Sequence, residues 1–165
     1  MSRLARLGML LIALLAATPP VAGDIPPTRL ANPAAEPQNW LMSGGDLAAR
    51  RYSGLDLINR DTVGRLKLLQ TIPYGEISAG QSFERMKFSA PLLEDGAVYF
   101  VDGMGRVLKS RLGIGTAAPI WTAEPALHQM DKWLLAQWSL VRYRDWVILA
   151  TGDGELVWIG ADTCR

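Results

Sequence analysis

Histidine and cysteine carry much of the metal and nucleophilic chemistry of proteins, and this sequence holds one of each, His128 and Cys164. A single histidine builds no His-based metal cluster. No nucleophile elbow accompanies it for a His-dependent triad, so His128 reads as an exposed loop residue. A lone Cys164 forms no internal disulfide. Gly103 with Gly105, and Gly113 with Gly115, lack the following helix that a phosphate loop needs. Trp121, Trp133, Trp138, Trp146 and Trp158 offer flat faces for a planar ligand, and equally serve as large apolar groups between packed sheets.

The elements that must position such groups belong to a globular chain. It has 165 residues, 49% of them apolar and 20% charged, a composition that buries a core and is not disordered. The formal net charge is +1. No basic stripe lies outside the extreme N-terminus, which excludes a nucleic-acid partner.

Arg3 and Arg6 precede an apolar run of 11 residues, Leu7–Ala17, then Pro19-Pro20 and the small residues before Asp24. This is the basic–apolar–small layout of a secretory signal peptide over residues 1–23. The run is shorter than the ~20 residues of a membrane span; the alternative is an uncleaved anchor. No cysteine follows it to carry a lipid, so the expected product is soluble and periplasmic, without a membrane anchor after cleavage.

Residues 24–39 hold four prolines and no periodicity, and read as an extended arm. A short helix is expected from Asn59 or Asp61, as N-cap, through Val63 and Leu66. From Leu66 the pattern turns to strands: 66–72, 89–93, 97–101, 106–111, 134–143, 146–151 and 155–159, with residues 76–87 and 122–132 as loops. Turns are expected at Glu94-Asp95-Gly96, at 102–105, at Arg144-Asp145 and at 152–154. Residues 95–108 superpose on 144–157 at an offset of 49, with Val98/Val147, Gly103/Gly152 and Gly105/Gly154 coincident. A period of ~40–50 residues with several strands per unit is the mark of propeller blades, the alternative being two hairpins of a β-sandwich. The fold class is therefore all-β, a partial β-propeller of about two blades over residues 40–165, with an N-terminal arm and a short helix. Closure takes ~4–8 blades, so a fragment, a truncated product or a part completed by another chain is expected.

The segment Asn39–Leu68 carries Trp40, Gly44-Gly45-Asp46, Arg51-Tyr52-Ser53, Leu55 to Asn59, Val63 and Leu66-Lys67-Leu68. In order and spacing it resembles the opening of the quinoprotein alcohol and methanol dehydrogenases. Residues 89–99 resemble that family's first blade, and Gly160–Arg165 its repeated Asp-Ala-x-Thr-Gly-Lys turn, with Gly160 for Asp and Cys164 for Gly. The resemblance implies an eight-bladed propeller holding pyrroloquinoline quinone (PQQ) and Ca²⁺ or a lanthanide near its axis. It implies oxidation of a primary alcohol to an aldehyde with an aspartate base, and transfer of electrons to a cytochrome c. The family's base and metal ligands stand in later blades, so no catalytic or metal-binding residue is assigned in this chain.

Two family features have counterparts to inspect. A cofactor-contacting glutamate stands three residues before the proline matched by Pro91, where this chain has Phe88. Glu84, four residues earlier, is the candidate cofactor-binding residue if the loop is slipped; beside Arg85 and Lys87 it equally reads as a solvated carboxylate. The adjacent cysteine pair of many members has no counterpart around residues 128–138. Two functions follow: a periplasmic PQQ-dependent oxidoreductase acting on alcohols, in a fragment or diverged form inactive alone, or a non-catalytic propeller scaffold that binds other proteins. Remaining blades on another chain are the expected partner.

Overall fold

Short runs of β-branched and aromatic residues, each closed by a turn, become strands here. The computed structural model describes residues 24–72, 89–102, 105–113, 118–125, 139–151 and 154–163. Seven strands form two antiparallel meanders. The first sheet runs β1 (Leu92–Glu94), β2 (Ala97–Val101), β3 (Val107–Arg111), β4 (Trp121–Ala123), in that spatial order. The second runs β5 (Ser139–Tyr143), β6 (Trp146–Ala150), β7 (Leu156–Gly160). At the β1–β2 turn Asp95 and Gly96 both take positive φ, 47° and 80°, the primed geometry for which Asp-Gly is suited.

The 49-residue repeat is structural. The pairs Ala97↔Arg111, Tyr99↔Lys109 and Val101↔Val107 recur as Trp146↔Gly160, Ile148↔Trp158 and Ala150↔Leu156. Turn chemistry recurs too: the Arg106 N–H donates to Asp102 Oδ1 (2.9 Å), and the Glu155 N–H to Thr151 Oγ1 (3.0 Å).

The sheets pack face to face. Leu92, Tyr99, Val101 and Val107 of the first meet Leu140, Val147, Leu149 and Ile159 of the second in one buried cluster. Alternation along each strand turns Val98, Phe100 and Leu108 to the far side of the first sheet, where Ile72 covers them.

Four expectations change. The arm is not simply extended: it contains α1 (Pro27–Ala31) and a 3₁₀ turn, Pro33–Ala35. Pro27 and Pro33 each begin a turn because their fixed φ suits that place. The short helix is a single 3₁₀ turn, Val63–Arg65. Asn59 Oδ1 accepts the N–H groups of Asp61 and Thr62 at its entrance (2.9 and 3.2 Å). Residues 66–72 form no ladder with any described strand. Leu68 and Leu69 are 85% and 75% exposed; only Ile72, and Gln70 bonded to Arg111 O and the Gly113 N–H, engage the sheet. β4, Trp121–Ala123, takes in residues 122 and 123, which the sequence places in a loop. A three-residue strand is too short to show a period. The proposed leader, residues 1–23, lies outside the described residues.

The arm seals one end of the sheet pair. Ile25 exchanges two backbone hydrogen bonds with Arg144 (3.2 and 2.8 Å) and is fully buried. Just past the arm, Trp40 bridges Leu93 of β1, and Met42 bridges Val141 of β5, so the segment Trp40–Met42 ties both sheets together. The Trp40 ring lies over Gly45, whose φ is +79°; a Cβ there would stand 2.7 Å from Trp40 Cη2. Both the close approach and the left-handed backbone demand glycine. Gly45→Ala is expected to cost about 1–3 kcal/mol. Gly54→Ala, where a Cβ meets nothing within 4 Å, should stay within about 0.5 kcal/mol. Urea denaturation of the two variants checks the contrast.

Candidate functional site at the sheet junction

A charged residue in the middle of an apolar strand needs a partner when the strand is buried. Arg142, in Leu-Val-Arg-Tyr of β5, is such a residue and is fully buried. Its Nε donates to Glu94 Oε2 at 2.6 Å and its Nη2 to Oε1 at 2.9 Å, a two-point pairing across the sheets. Its Nη1 donates to the carbonyls of Arg144 and Trp146 at 2.8 and 2.7 Å. The Tyr99 hydroxyl donates to Glu94 Oε2 at 2.9 Å. Burial, and then the neighbouring Glu94 charge, push the Tyr99 hydroxyl far above its ordinary value, so it stays a neutral donor.

The Tyr99 ring receives two cations. Arg142 lies 5.7 Å and Lys109 5.3 Å from its centroid, within cation–π range. Lys109 Nζ donates to Ala161 O at 3.1 Å and pairs with Asp162 at 3.3 Å. Trp121 Nε1 donates to the same Ala161 carbonyl at 2.9 Å. Its ring sits 6.1 Å from that of Tyr99. Both sheets are thus joined at one end by Glu94–Arg142 and at the other by Lys109 and Trp121 on Ala161-Asp162.

The arm clamp adjoins this junction. Arg29 Nε donates to Glu36 at 2.7 and 2.8 Å. Asn39 Nδ2 donates to Glu36 and Asp95 at 2.8 and 3.0 Å, while Asn39 Oδ1 accepts the Asp95 N–H at 2.9 Å. The hydrogen bond from Arg29 holds the Glu36 carboxyl below the ordinary carboxylate range.

Of the residues singled out from sequence, Glu84, Phe88, His128, Trp133, Trp138 and Cys164 lie outside the described residues. Trp121 is a packing residue of the junction. Trp146 and Trp158 form an edge-to-face pair, centroids 6.2 Å apart, on the outer face of the second sheet. Glu94, Tyr99, Lys109 and Arg142 were missed. Glu94 read as a turn residue, and the one signal was the charge inside Leu-Val-Arg-Tyr.

No family model matches the chain. The dehydrogenase subunit of the quinone-dependent alcohol dehydrogenase of Acetobacter aceti is 34% identical over 89 residues, 54% of this chain and 11% of the relative. A quinohemoprotein alcohol dehydrogenase from Comamonas testosteroni superposes with a TM-score of 0.61 and 26% identity, over 82% of this chain and 19% of its own. The chain is related to the quinoprotein alcohol dehydrogenases. Another, from Pseudomonas putida, superposes with a TM-score of 0.61 at 21% identity, over 86% of this chain and 20% of its own. The chain thus spans a tenth to a fifth of the length of these relatives. The two sheets are two blades of a partial β-propeller, and the sandwich alternative falls.

The buried carboxylates of the described residues are already engaged. Glu94 and Asp102 are buried carboxylates, but one is held by Arg142 and Tyr99 and the other by Arg106. Among the described residues no group of three His, Cys, Asp or Glu is placed to hold a metal ion. With Arg142, Glu94 and Tyr99 at most 2% exposed, the junction positions sheets and reaches no solute.

Arg142→Met strands the Glu94 carboxylate and is expected to cost about 3–5 kcal/mol, whereas Arg142→Met with Glu94→Leu should cost clearly less; urea midpoints of both variants check the order. Glu36 has a depressed value in the folded chain, so its contribution is present above the ordinary glutamate value of about 4.3 and is lost as pH falls through the folded one. Glu36→Gln should therefore flatten the fall in thermal midpoint on acidification from about pH 5, read by circular dichroism against the parent.

Proposed function

We propose that this chain supplies the first two blades of a PQQ-dependent oxidoreductase that acts on primary alcohols in the periplasm. The observation that carries the reading is the 34% identity with the Acetobacter aceti dehydrogenase subunit. The order of Trp40, Gly45, Asp46 and Asn59 along the sequence supports it. In this reading catalysis needs further blades, because a site works only when its groups stand together. PQQ supplies the electron-accepting chemistry when bound, and Ca²⁺ or a lanthanide accompanies it. Two relatives are quinohemoproteins by name, which favours a cytochrome c as the electron acceptor. Glu84 remains the proposed cofactor contact. A signal peptide over residues 1–23 carries the export reading, and no helix of the described residues is long and apolar enough to cross a membrane.

A second reading, a scaffold that binds other proteins, is favoured by one observation. Tyr52, Leu57 and Leu68 are at least 80% exposed, more apolar display than a free surface normally keeps.

The deciding experiment is a titration of the purified chain, shown folded by circular dichroism, with PQQ plus Ca²⁺ or a lanthanide. No quenching of tryptophan fluorescence is expected from this chain alone. Saturable, metal-dependent quenching would instead give the two blades a quinone site of their own. Quenching with dye-linked alcohol oxidation would overturn the need for further blades.

A further inference from the structure

The Tyr99 hydroxyl is buried, neutral and bonded to a base. It donates to Glu94 Oε2 at 2.9 Å, a separation over which a proton passes readily. A tyrosine that has lost an electron holds its proton weakly, so this hydrogen bond is where an oxidised Tyr99 leaves its proton. Other tyrosines among the described residues are placed differently. The Tyr143 hydroxyl accepts from the Arg144 guanidinium at 3.4 Å, and Tyr52 is 80% exposed.

An electron also has a way out. Tyr99 is fully buried, but Trp121 packs on it with ring centroids 6.1 Å apart. Trp121 is only partly buried, so its ring faces both the surface and Tyr99. Its own proton has no base to go to, because its Nε1–H is bonded to the neutral Ala161 carbonyl at 2.9 Å. An electron vacancy on Trp121 therefore stays a cation, close to the Lys109 ammonium that shares that carbonyl. A positive charge partly removed from water beside another is unfavourable. On Tyr99 the vacancy is neutral once the proton has moved. Arg142 and Lys109, 5.7 and 5.3 Å from the ring centroid, oppose an oxidised Tyr99 that keeps its proton. The two cations thus tie loss of the electron to loss of the proton.

We propose that Trp121, Tyr99 and Glu94 form a one-electron relay. A one-electron oxidant at the surface takes an electron from Trp121 and leaves the indole radical cation. Tyr99 then gives one electron to Trp121, and in the same step its phenolic proton crosses to Glu94 Oε2. The products are an intact Trp121, a neutral tyrosyl radical and a protonated Glu94. One electron has left the protein and no proton has. Neutralising Glu94 beside Arg142 is costly, so the oxidant must be strong. Arg142 keeps its place through the step, since its Nη1 stays on the Arg144 and Trp146 carbonyls. An electron returned by a surface reductant restores the phenol with the same proton. The relay rests on the sheet junction and not on the oxidoreductase reading, and quinone titration leaves it untouched.

The four tyrosines of the chain are first told apart. In the variant Tyr52→Phe, Tyr74→Phe, Tyr143→Phe, Tyr99 is the sole tyrosine. This variant, shown folded by circular dichroism, is irradiated with tris(bipyridine)ruthenium(II) and a sacrificial cobalt(III) acceptor. Transient absorption reads the rate, and electron paramagnetic resonance of frozen samples carrying ring-deuterated tyrosine reads the identity of the radical. A neutral tyrosyl radical is expected, formed more slowly in D₂O than in H₂O. Added to this variant, Trp121→Phe should lose the tyrosyl signal, while Trp158→Phe, which breaks only the outer tryptophan pair, should keep it. Glu94→Gln should also lose it and leave an indole signal. Absence of a tyrosyl signal in the folded triple variant would overturn the proposal. So would an undiminished signal after Trp121→Phe, or equal rates of formation in H₂O and D₂O, and both of these readings stand if Glu94→Gln fails to fold.

Discussion

The contact between Arg142 and Glu94 fixes how the two sheets sit on one another. Apolar faces attract without direction, so Leu92, Val101 and Val107 would pack nearly as well on Leu140, Val147 and Leu149 after a small slide. A buried guanidinium held at two points by a carboxylate does not tolerate that slide. Removing two charges from water is costly, and the attraction between them roughly offsets that cost rather than adding much stability. The contribution of the pair is thus alignment. Its position beside the arm extends that effect: the Arg142 N–H donates to Leu41 O, and Leu93, next to Glu94, bonds Trp40 in both directions. The arm can lie across both sheets only where the ion pair has set them.

Tyr99 and Lys109 translate the same alignment to the other end of the junction. Tyr99 touches Glu94 through its hydroxyl and carries Lys109 and Arg142 over its ring. Lys109 and Trp121 then meet the Ala161 carbonyl at the end of β7. The first sheet thus grips the second at its first strand and just past its last. The matching face of the second sheet carries Tyr143, Ile148 and Trp158 instead. Among the described residues the polar device is therefore used once. The matched region makes up 11–20% of the length of the proteins it is similar to.

Much of the architecture was legible in the sequence, because its signals are local. Asp95-Gly96 and Arg144-Asp145 between apolar runs announced the hairpins, and the 49-residue offset announced the repeat. The Gly44-Gly45-Asp46 and Asn59 motifs announced the family. Residues 66–72 misled because Leu-Lys-Leu-Leu alternates like a strand, yet a strand exists only where a partner ladder exists. β4 escaped because three residues show no period. The candidate cofactor contact, Glu84, was legible only by likeness and lies outside the described residues.

The sequence by itself determined the two hairpin repeats, their turns, the all-β class and the kinship, since each depends on residues close together in the chain. Tertiary structure alone decided that Glu94, four dozen residues before Arg142, is its partner, and that Trp121 serves packing at the sheet junction. Those outcomes depend on which faces meet, and spacing along one chain does not encode the meeting of two faces until the sheets have formed.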